Sequence, residues 1–303
     1  MNCYNGEKFL REAIDSVYAQ TYKKWEIIFF DNGSIDNSAE IVNLYDSKIK
    51  YFYYEKKILL GVARQMAVDN SSGEWIANLD TDDLWYPDKL KVQLEAVNNS
   101  DFVMCYAGIH DIEPNGAIIR EYLPHYNSGY MLEQQLFQFE VNNVTPMIRK
   151  NAMYKHNIFF EPSMTSGDDY NLYMRLMAKG RVCTIPTTLG AWRIYPGTVT
   201  DRTIKHWSKE RLFTLDQIIK ENPNIGTKYT KAFDEARARG IYYKARYLVK
   251  TKNFKEARTQ MNSISMVSKK YFMLYLLTFI PLLWNYVHGS ILKRKLSLKI
   301  LGY

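Results

Sequence analysis

The chain has 303 residues, 47% of them hydrophobic and 24% charged, a balance that supports a buried core and excludes disordered and low-complexity classes. Its net charge of +8 is unevenly spread: residues 231–303 carry 15 Lys/Arg and 3 Asp/Glu, or +12, and residues 1–230 carry 25 and 29, or −4. Three cysteines, Cys3, Cys105 and Cys183, show no CxxC spacing, which argues against a zinc site or a disulfide framework and favours a reducing compartment. Aromatics reach 15% with 24 tyrosines, equally suited to sugar stacking, membrane interfaces and packing.

In chain order, "NGEKFLREAIDSVYAQ" predicts a helix with Asn5 as N-cap, because Leu10, Ala13, Ile14 and Val17 recur at helical spacing. "WEIIFF" (25–30) is a continuous apolar run, as in a strand buried on both faces. The turn "DNGSIDNS", a helix in "SAEIVNLY", a strand in "IKYFYY" (49–54), a helix in "GVARQMAVDNS" and a strand in "EWIANL" (74–79) follow. "YPDKLKVQLEAV" predicts a helix with Pro87 near its first turn, and "DFVMCYAG" (101–108) another strand. This alternation implies a mostly parallel sheet with helices on its faces, and ligands bind beyond the carboxyl ends of such strands. The acidic turns "DNGSID" and "DTDD" both fall there.

Further along, "DIEPNGAIIREYLP" carries an Asn-Gly hairpin signal. "VNNVTPMIRKNAMYKHNIFF" predicts a strand and then a short helix, and "GDDYNLYMRLMAKG" a helix with Asp168 and Asp169 at its N-terminus, where the dipole favours negative charge. From about 205 the pattern is helical. "YYKARYLVKTKNFKEARTQM" resembles a tetratricopeptide-type hairpin with Ala245, Tyr247, Phe254 and Ala257 at packing positions, although one such unit builds no solenoid. Residues 271–288 hold no Lys, Arg, Asp or Glu, and "KRK" (293–295) follows. A helix of this length would span roughly 27 Å at ~1.5 Å per residue. Pro281 interrupts the segment, so it is expected to lie against an anionic membrane surface with the basic tail; packing on the catalytic domain is the alternative.

Three carboxylates within "DTDD" (80–83) repel one another, and a chain keeps them on a solvated turn or around a cation. "CYNGEKFLREAIDSVYAQTYKKWEIIFFDNGSIDNS", "GVARQMA", "GEWIANLDTDDLWYPDKL" and "GDDYNLYMRLMAKG" together resemble the GT-A-fold family 2 glycosyltransferases over roughly residues 2–196. The resemblance implies a GT-A domain at 1–204, an α/β fold with a Rossmann-like, mostly parallel sheet, and a helical C-terminal region at 205–303. It implies inverting transfer from a nucleotide sugar, UDP-linked by expectation, to a cell-envelope glycan or lipid-linked acceptor. The work would be done in the cytoplasm at the inner face of the membrane.

By the same resemblance Asn2, Tyr4, Asp31 and Asn32 contact the nucleobase, Arg64 faces the nucleotide, and Asp82 and Asp83 hold Mn²⁺ or Mg²⁺, with Asp82 also near the ribose. Asp80 contributes structurally or through water. Asp169 is the expected general base and Asp168 shapes its site. Arg193 and Tyr195 stand where the family has Arg-x-His, and Tyr195 removes a diphosphate or metal contact. The family also has a buried strand ahead of "YN", and here "MNCYN" already reads as the loop, so the first central strand is expected to be missing. A degenerate, membrane-associated binding module is therefore the alternative to an enzyme. A nucleotidyltransferase would want a glycine-rich, basic triphosphate loop, which is not seen. No recognised nucleic-acid motif accompanies the basic tail.

Overall fold

The computed structural model describes residues 1–288, without the side chains of 199–201. It opens with β1 (Asn2–Cys3), α1 (Glu7–Tyr18), β2 (Ile27–Asp31), α2 (Ser38–Val42), β3 (Ile49–Tyr53), α3 (Leu60–Asp69) and β4 (Trp75–Ala77). Next come β5 (Leu84–Trp85), α4 (Lys89–Val97), β6 (Met104–Ile112), β7 (Ile118–Tyr122) and α5 (Leu132–Phe137). The order continues with β8 (Met147–Arg149), α6 (Lys150–His156), α7 (Asp168–Met177) and β9 (Val182–Arg193). The rest is helical: α8 (Val199–Glu221), α9 (Ile225–Lys228), α10 (Thr230–Lys250), α11 (Phe254–Ile264), α12 (Lys269–Leu277) and α13 (Pro281–His288). Two units emerge, one of residues 1–131 and 141–196, the other of 132–140 and the chain from 197 onward.

In the first unit β1, β2 and β3 form a parallel sheet, and β4-β8-β6-β9-β5 form a second sheet with β7 paired to β6. The apolar run of β2 is buried at every position. Its pleat sends Ile28 and Phe30 to Ala63 and Ala67 of α3, and Ile27 and Phe29 to Leu10, Ile14 and Val17 of α1. The expectation of a mostly parallel sheet holds for the first sheet and for β6 with β9. Elsewhere the sheet is mixed, because β8 runs antiparallel between β4 and β6, and β5 runs antiparallel to β9. Composition reveals a strand but not its direction. The Asn-Gly hairpin forms between β6 and β7, with Gly116 at φ +85°.

The strand ahead of the "YN" loop is represented by β1, two residues long beside the five of β2. Beside the start of β2 lies a cavity of about 780 Å³. The expected N-cap of α1 is corrected: Gly6 takes that place, and Asn5 has φ 57° while its side chain accepts the Ile35 amide at 2.9 Å. The 34–38 loop serves the first turn instead, Ser38 Oγ accepting the Gly6 amide and Asp36 Oδ2 the Glu7 amide. Glu7 returns the contact by accepting the Asn37 amide. This interlock ties the loops after β1 and β2 together.

In the second unit α10 and α11 form the expected hairpin, with Ala245 and Ala257 fully buried. Residues 271–288 divide into α12 and α13, and among the described residues no helix is long and apolar enough to cross a membrane. The "KRK" run lies outside the described residues.

Candidate active site

The site gathers at the carboxyl ends of β1, β2 and β4 and at the N-terminus of α7. Parallel pairing sets Asn2 beside Phe30 and Cys3 beside Asp31, so the "CYN" and "DNGS" loops leave the sheet together. Asp31 is buried; one carboxylate oxygen accepts the Ser34 amide at 2.8 Å and the other the Tyr51 hydroxyl at 2.8 Å. The Asn32 side-chain amide donates to the Ile58 carbonyl and accepts the Ile58 amide, both at 2.9 Å, which fixes the loop after β3. Tyr4 stays exposed with the Lys57 ammonium 3.5 Å from its ring centroid, a cation–π pair at the rim. Asn2 Nδ2 is buried without a hydrogen-bond partner, so a donor waits beside the loop.

"DTDD" follows β4 and meets the first loop at Gly6, where a Cβ would stand 2.8 Å from Thr81 Oγ1. Glycine is needed there for close approach. Arg64 binds the site from α3. Its buried guanidinium donates to Asp80 Oδ1 and Asp168 Oδ2, each at 2.9 Å. Gly61, one turn earlier, lets α3 close on the 161 loop, since a Cβ would lie 2.3 Å from the Glu161 carbonyl. Arg64 thus joins two acidic motifs far apart in sequence. Burial opposes its charge, but Asp168 and Asp80 outweigh burial and raise its pKa well above the usual arginine value.

Asp83 is buried and accepts the Arg193 amide at 2.9 Å. Asp82 accepts the Tyr195 hydroxyl at 2.8 Å. Arg193 clamps this turn: its Nε donates to the Asp82 carbonyl at 2.9 Å and its Nη2 to Glu12 at 2.8 Å. Burial and the neighbouring carboxylates push the Asp83 carboxyl well up, and burial with Asp80 pushes Asp82 up. These contacts leave a second oxygen on each of Asp82 and Asp83. Two adjacent hard carboxylates whose ionisation is resisted by burial and mutual repulsion fit an oxygen-seeking divalent cation such as Mg²⁺ or Mn²⁺.

Asp168 and Asp169 open α7 behind Gly167. Burial raises the Asp168 carboxyl against the pull of Arg64. Asp169 is half-buried and accepts the Tyr170 amide at 2.6 Å. Burial and the Asp168 charge lift its pKa to about 6, with Arg64 opposing them.

Arg64, Asp80 and Asp168 therefore meet directly. Asp82 and Asp83 are held by the Tyr195 and Arg193 pair, and the base-side loops by one another. Sequence reasoning missed Asn143, whose amide donates to Asp80 at 3.2 Å and whose oxygen accepts the Tyr173 hydroxyl at 2.6 Å. It also missed Glu12 on Arg193 and Tyr51 on Asp31. Asn143 sits in a loop without motif, and the pattern that places Glu12 and Tyr51 on a helix and a strand does not pair them with their partners.

Known proteins are similar to this one. An uncharacterized glycosyltransferase of Rickettsia conorii is 32% identical over 199 residues, 65% of this chain and 32% of that protein. The chain thus matches about a third of that relative's length. The Escherichia coli UDP-Glc:alpha-D-GlcNAc-diphosphoundecaprenol beta-1,3-glucosyltransferase WfgD is 33% identical over 61% of this chain and 71% of its own. Among solved structures, S. aureus TarS 1-349 superposes with a TM-score of 0.68 at 15% identity, covering 92% of this chain and 86% of its own. The mannosyltransferase PcManGT from Pyrobaculum calidifontis gives 0.60 at 13%, covering 94% and 84%. At these identities the likeness concerns the fold, and it agrees with the expected GT-A architecture. The model of glycosyl transferase family 2 matches residues 1–161, more than half of the chain, and the chain belongs to that family.

Proposed function

We propose that this protein transfers a sugar from a nucleotide sugar, UDP-linked by preference, to a hydroxyl of a cell-envelope glycan or lipid-linked acceptor, with inversion. The observation that carries the reading is the Arg64 bridge, which sets the "DTDD" turn and the "GDD" helix start in one site at 2.9 Å each. Related proteins support the donor class: TarS has been solved with UDP-GlcNAc and PcManGT with GDP-Man and Mn2+, and WfgD is named for UDP-Glc and a diphosphoundecaprenol acceptor.

Asn2, Tyr4, Asp31 and Asn32 would line the nucleobase side, and Arg64 would act as a brace behind the diphosphate rather than as its free partner. Asp82 and Asp83 would hold Mn²⁺ or Mg²⁺, which when bound offsets the negative charge gathering on the departing diphosphate. Asp169 takes the proton of the acceptor hydroxyl as that oxygen forms its bond to the anomeric carbon. The bond to the diphosphate breaks, and its electron pair leaves with the diphosphate. One displacement inverts the centre. Asp168, locked to Arg64, keeps Asp169 in position.

The test is transfer from UDP-sugars with and without chelator. Activity should vanish in EDTA, return with Mn²⁺ or Mg²⁺, and be lost in Asp83→Ala. Full activity of Asp83→Ala under chelation would overturn the metal role. The rival reading, a degenerate binding module, requires nucleotide-sugar binding with no turnover under any of these conditions.

A membrane contact, at the inner face of the cytoplasmic membrane, is the second part of the proposal. It is supported by α12, α13 and the turn between them, which expose Met273 and Leu276, Leu282 and Tyr286, and Phe279 and Ile280 respectively, and by the +12 charge of residues 231–303. Apolar side chains beside basic ones suit an anionic interface. Deleting residues 265–303 should abolish binding to anionic liposomes, and binding by the full chain should weaken with salt. Unchanged liposome binding by the shortened chain would assign these helices to packing alone.

A further inference from the structure

We propose that Asn143 is a positioning residue for Asp169: it captures the single hydroxyl hydrogen of Tyr173 and so denies the carboxylate a hydrogen bond that would weaken it as a base. This role rests on the reading of Asp169 as the general base and concerns how that base is kept strong.

Tyr173 is placed to reach Asp169. It lies four residues later on α7, one turn along the same face, and helical side chains lean toward the helix N-terminus, where Asp169 stands. Tyr173 is fully buried. Burial first, and then the Asp169 charge, raise the pKa of its phenol, so the hydroxyl keeps its hydrogen and must place it on an acceptor. Asp169 offers one. The Tyr170 amide holds its Oδ1 at 2.6 Å, and among the described residues no hydrogen bond reaches its Oδ2.

A chain of forced roles turns the hydroxyl away. Arg64 donates to Asp80 Oδ1 at 2.9 Å, and an ionised carboxylate can only accept. The Asn143 nitrogen therefore faces Asp80 Oδ2 and donates to it at 3.2 Å. That leaves the Asn143 oxygen toward Tyr173, whose hydroxyl donates to it at 2.6 Å. The Asn78 nitrogen, 3.4 Å from the Tyr173 oxygen and 3.5 Å from the Asn143 oxygen, donates into the same pair. A reversed Asn143 amide would set oxygen against carboxylate and nitrogen against nitrogen. The Arg64–Asp80 pair thus orients Asn143, and Asn143 orients Tyr173. A hydrogen bond to a carboxylate favours its charged form and lowers its affinity for a proton. With its hydrogen on Asn143, Tyr173 has none to give Asp169.

Asn143→Ala, Tyr173→Phe and the double variant test this. The titration midpoint of Asp169 is read twice. Carbon-13 NMR follows its carboxyl in the protein alone, assigned by its loss in Asp169→Asn, and the acidic limb of kcat/KM follows it in turnover. In Asn143→Ala the released hydroxyl should turn to Asp169 and move both midpoints down from about 6 by about one pH unit. Tyr173→Phe has no hydrogen to give, and the double variant should titrate as Tyr173→Phe does. The other groups that act on Asp169, namely Asp168 on its own helix, Arg64 of α3 and Asp80 after β4, are unaltered in these variants. Asn143→Asp keeps an acceptor for Tyr173 and adds a charge, so its midpoint should rise, a reading of opposite sign should Asn143→Ala fold poorly. Loss of rate in Asn143→Ala with an unmoved midpoint would make Asn143 structural only and overturn the proposal. So would a fall that persists undiminished in the double variant, since the phenol would then not be its cause. Full activity of Asp169→Asn would overturn the base assignment instead, and the two failures are distinguishable because the NMR midpoints need no turnover.

Discussion

Asp169→Asn should lower sugar transfer by ~10²–10⁴-fold, the range for a lost acid–base group, and leave binding of the nucleotide sugar and metal nearly unchanged. Asparagine keeps the size and hydrogen-bonding shape of aspartate at the first turn of α7 and loses only the basicity. The pKa of Asp169 is lifted to about 6 by burial and by Asp168. A base must be deprotonated to act, so kcat/KM of the unaltered protein should rise with pH through about 6 and level off above it. The variant should lose that limb. Asp168→Asn should disturb acceptor binding more than the chemical step, because Asp168 is tied to Arg64. A variant Asp169→Asn that keeps its rate and the acidic limb would move the base elsewhere.

Arg64→Ala should be the most damaging change to stability. It strips the cation from Asp168, which is fully buried, and from Asp80 at the site's edge. Removing one partner of a buried ion pair costs about 3–5 kcal/mol, because the other charge remains without compensation. The sign with pH follows. Without Arg64 the folded Asp168 carboxyl would titrate far above its unfolded value, so the folded variant binds the extra proton. Its deficit relative to the unaltered protein should shrink as pH falls and be largest near neutrality. Arg64→Lys should recover only part of the loss, since a single ammonium lacks the planar fork that meets two carboxylates at once. Denaturant unfolding at pH 5 and pH 7.5 reads both effects. A variant that is as stable as the parent yet has lost donor affinity would mean that Arg64 faces the nucleotide and braces nothing.

Much of the fold could be read in the sequence because burial leaves a pattern. The run at 25–30 became a strand covered on both faces, and the spacing of Leu10, Ile14 and Val17 became the buried stripe of α1. The acidic turns follow strands as expected, at the carboxyl ends of β2 and β4, although these strands belong to two sheets rather than one. The chain did not reveal the direction of β8, which is set by its neighbours rather than by its own residues. Asn5 looked like a helix cap because its type suits one, but Ser38 and Asp36 took that role by accepting the Gly6 and Glu7 amides, and Asn5 holds the Ile35 amide. Within the site, the resemblance of the four motifs to the family picked out Arg64, Asp82, Asp83, Asp168 and Asp169. They did not show that Arg64 spends its donors on Asp80 and Asp168, nor that Asn143 braces Asp80. Such pairings arise from contacts between segments tens of residues apart, for which a single sequence carries no local signal.

The measurement closest to the central claim is the anomeric configuration of the product, read by the proton coupling constant at the transferred sugar after incubation with an α-linked UDP-sugar, an acceptor and Mn²⁺. A single displacement with Asp169 as base gives a β-linked product, the configuration opposite to the donor's. A product that keeps the donor's α configuration would contradict the account, even if Asp169→Asn were inactive.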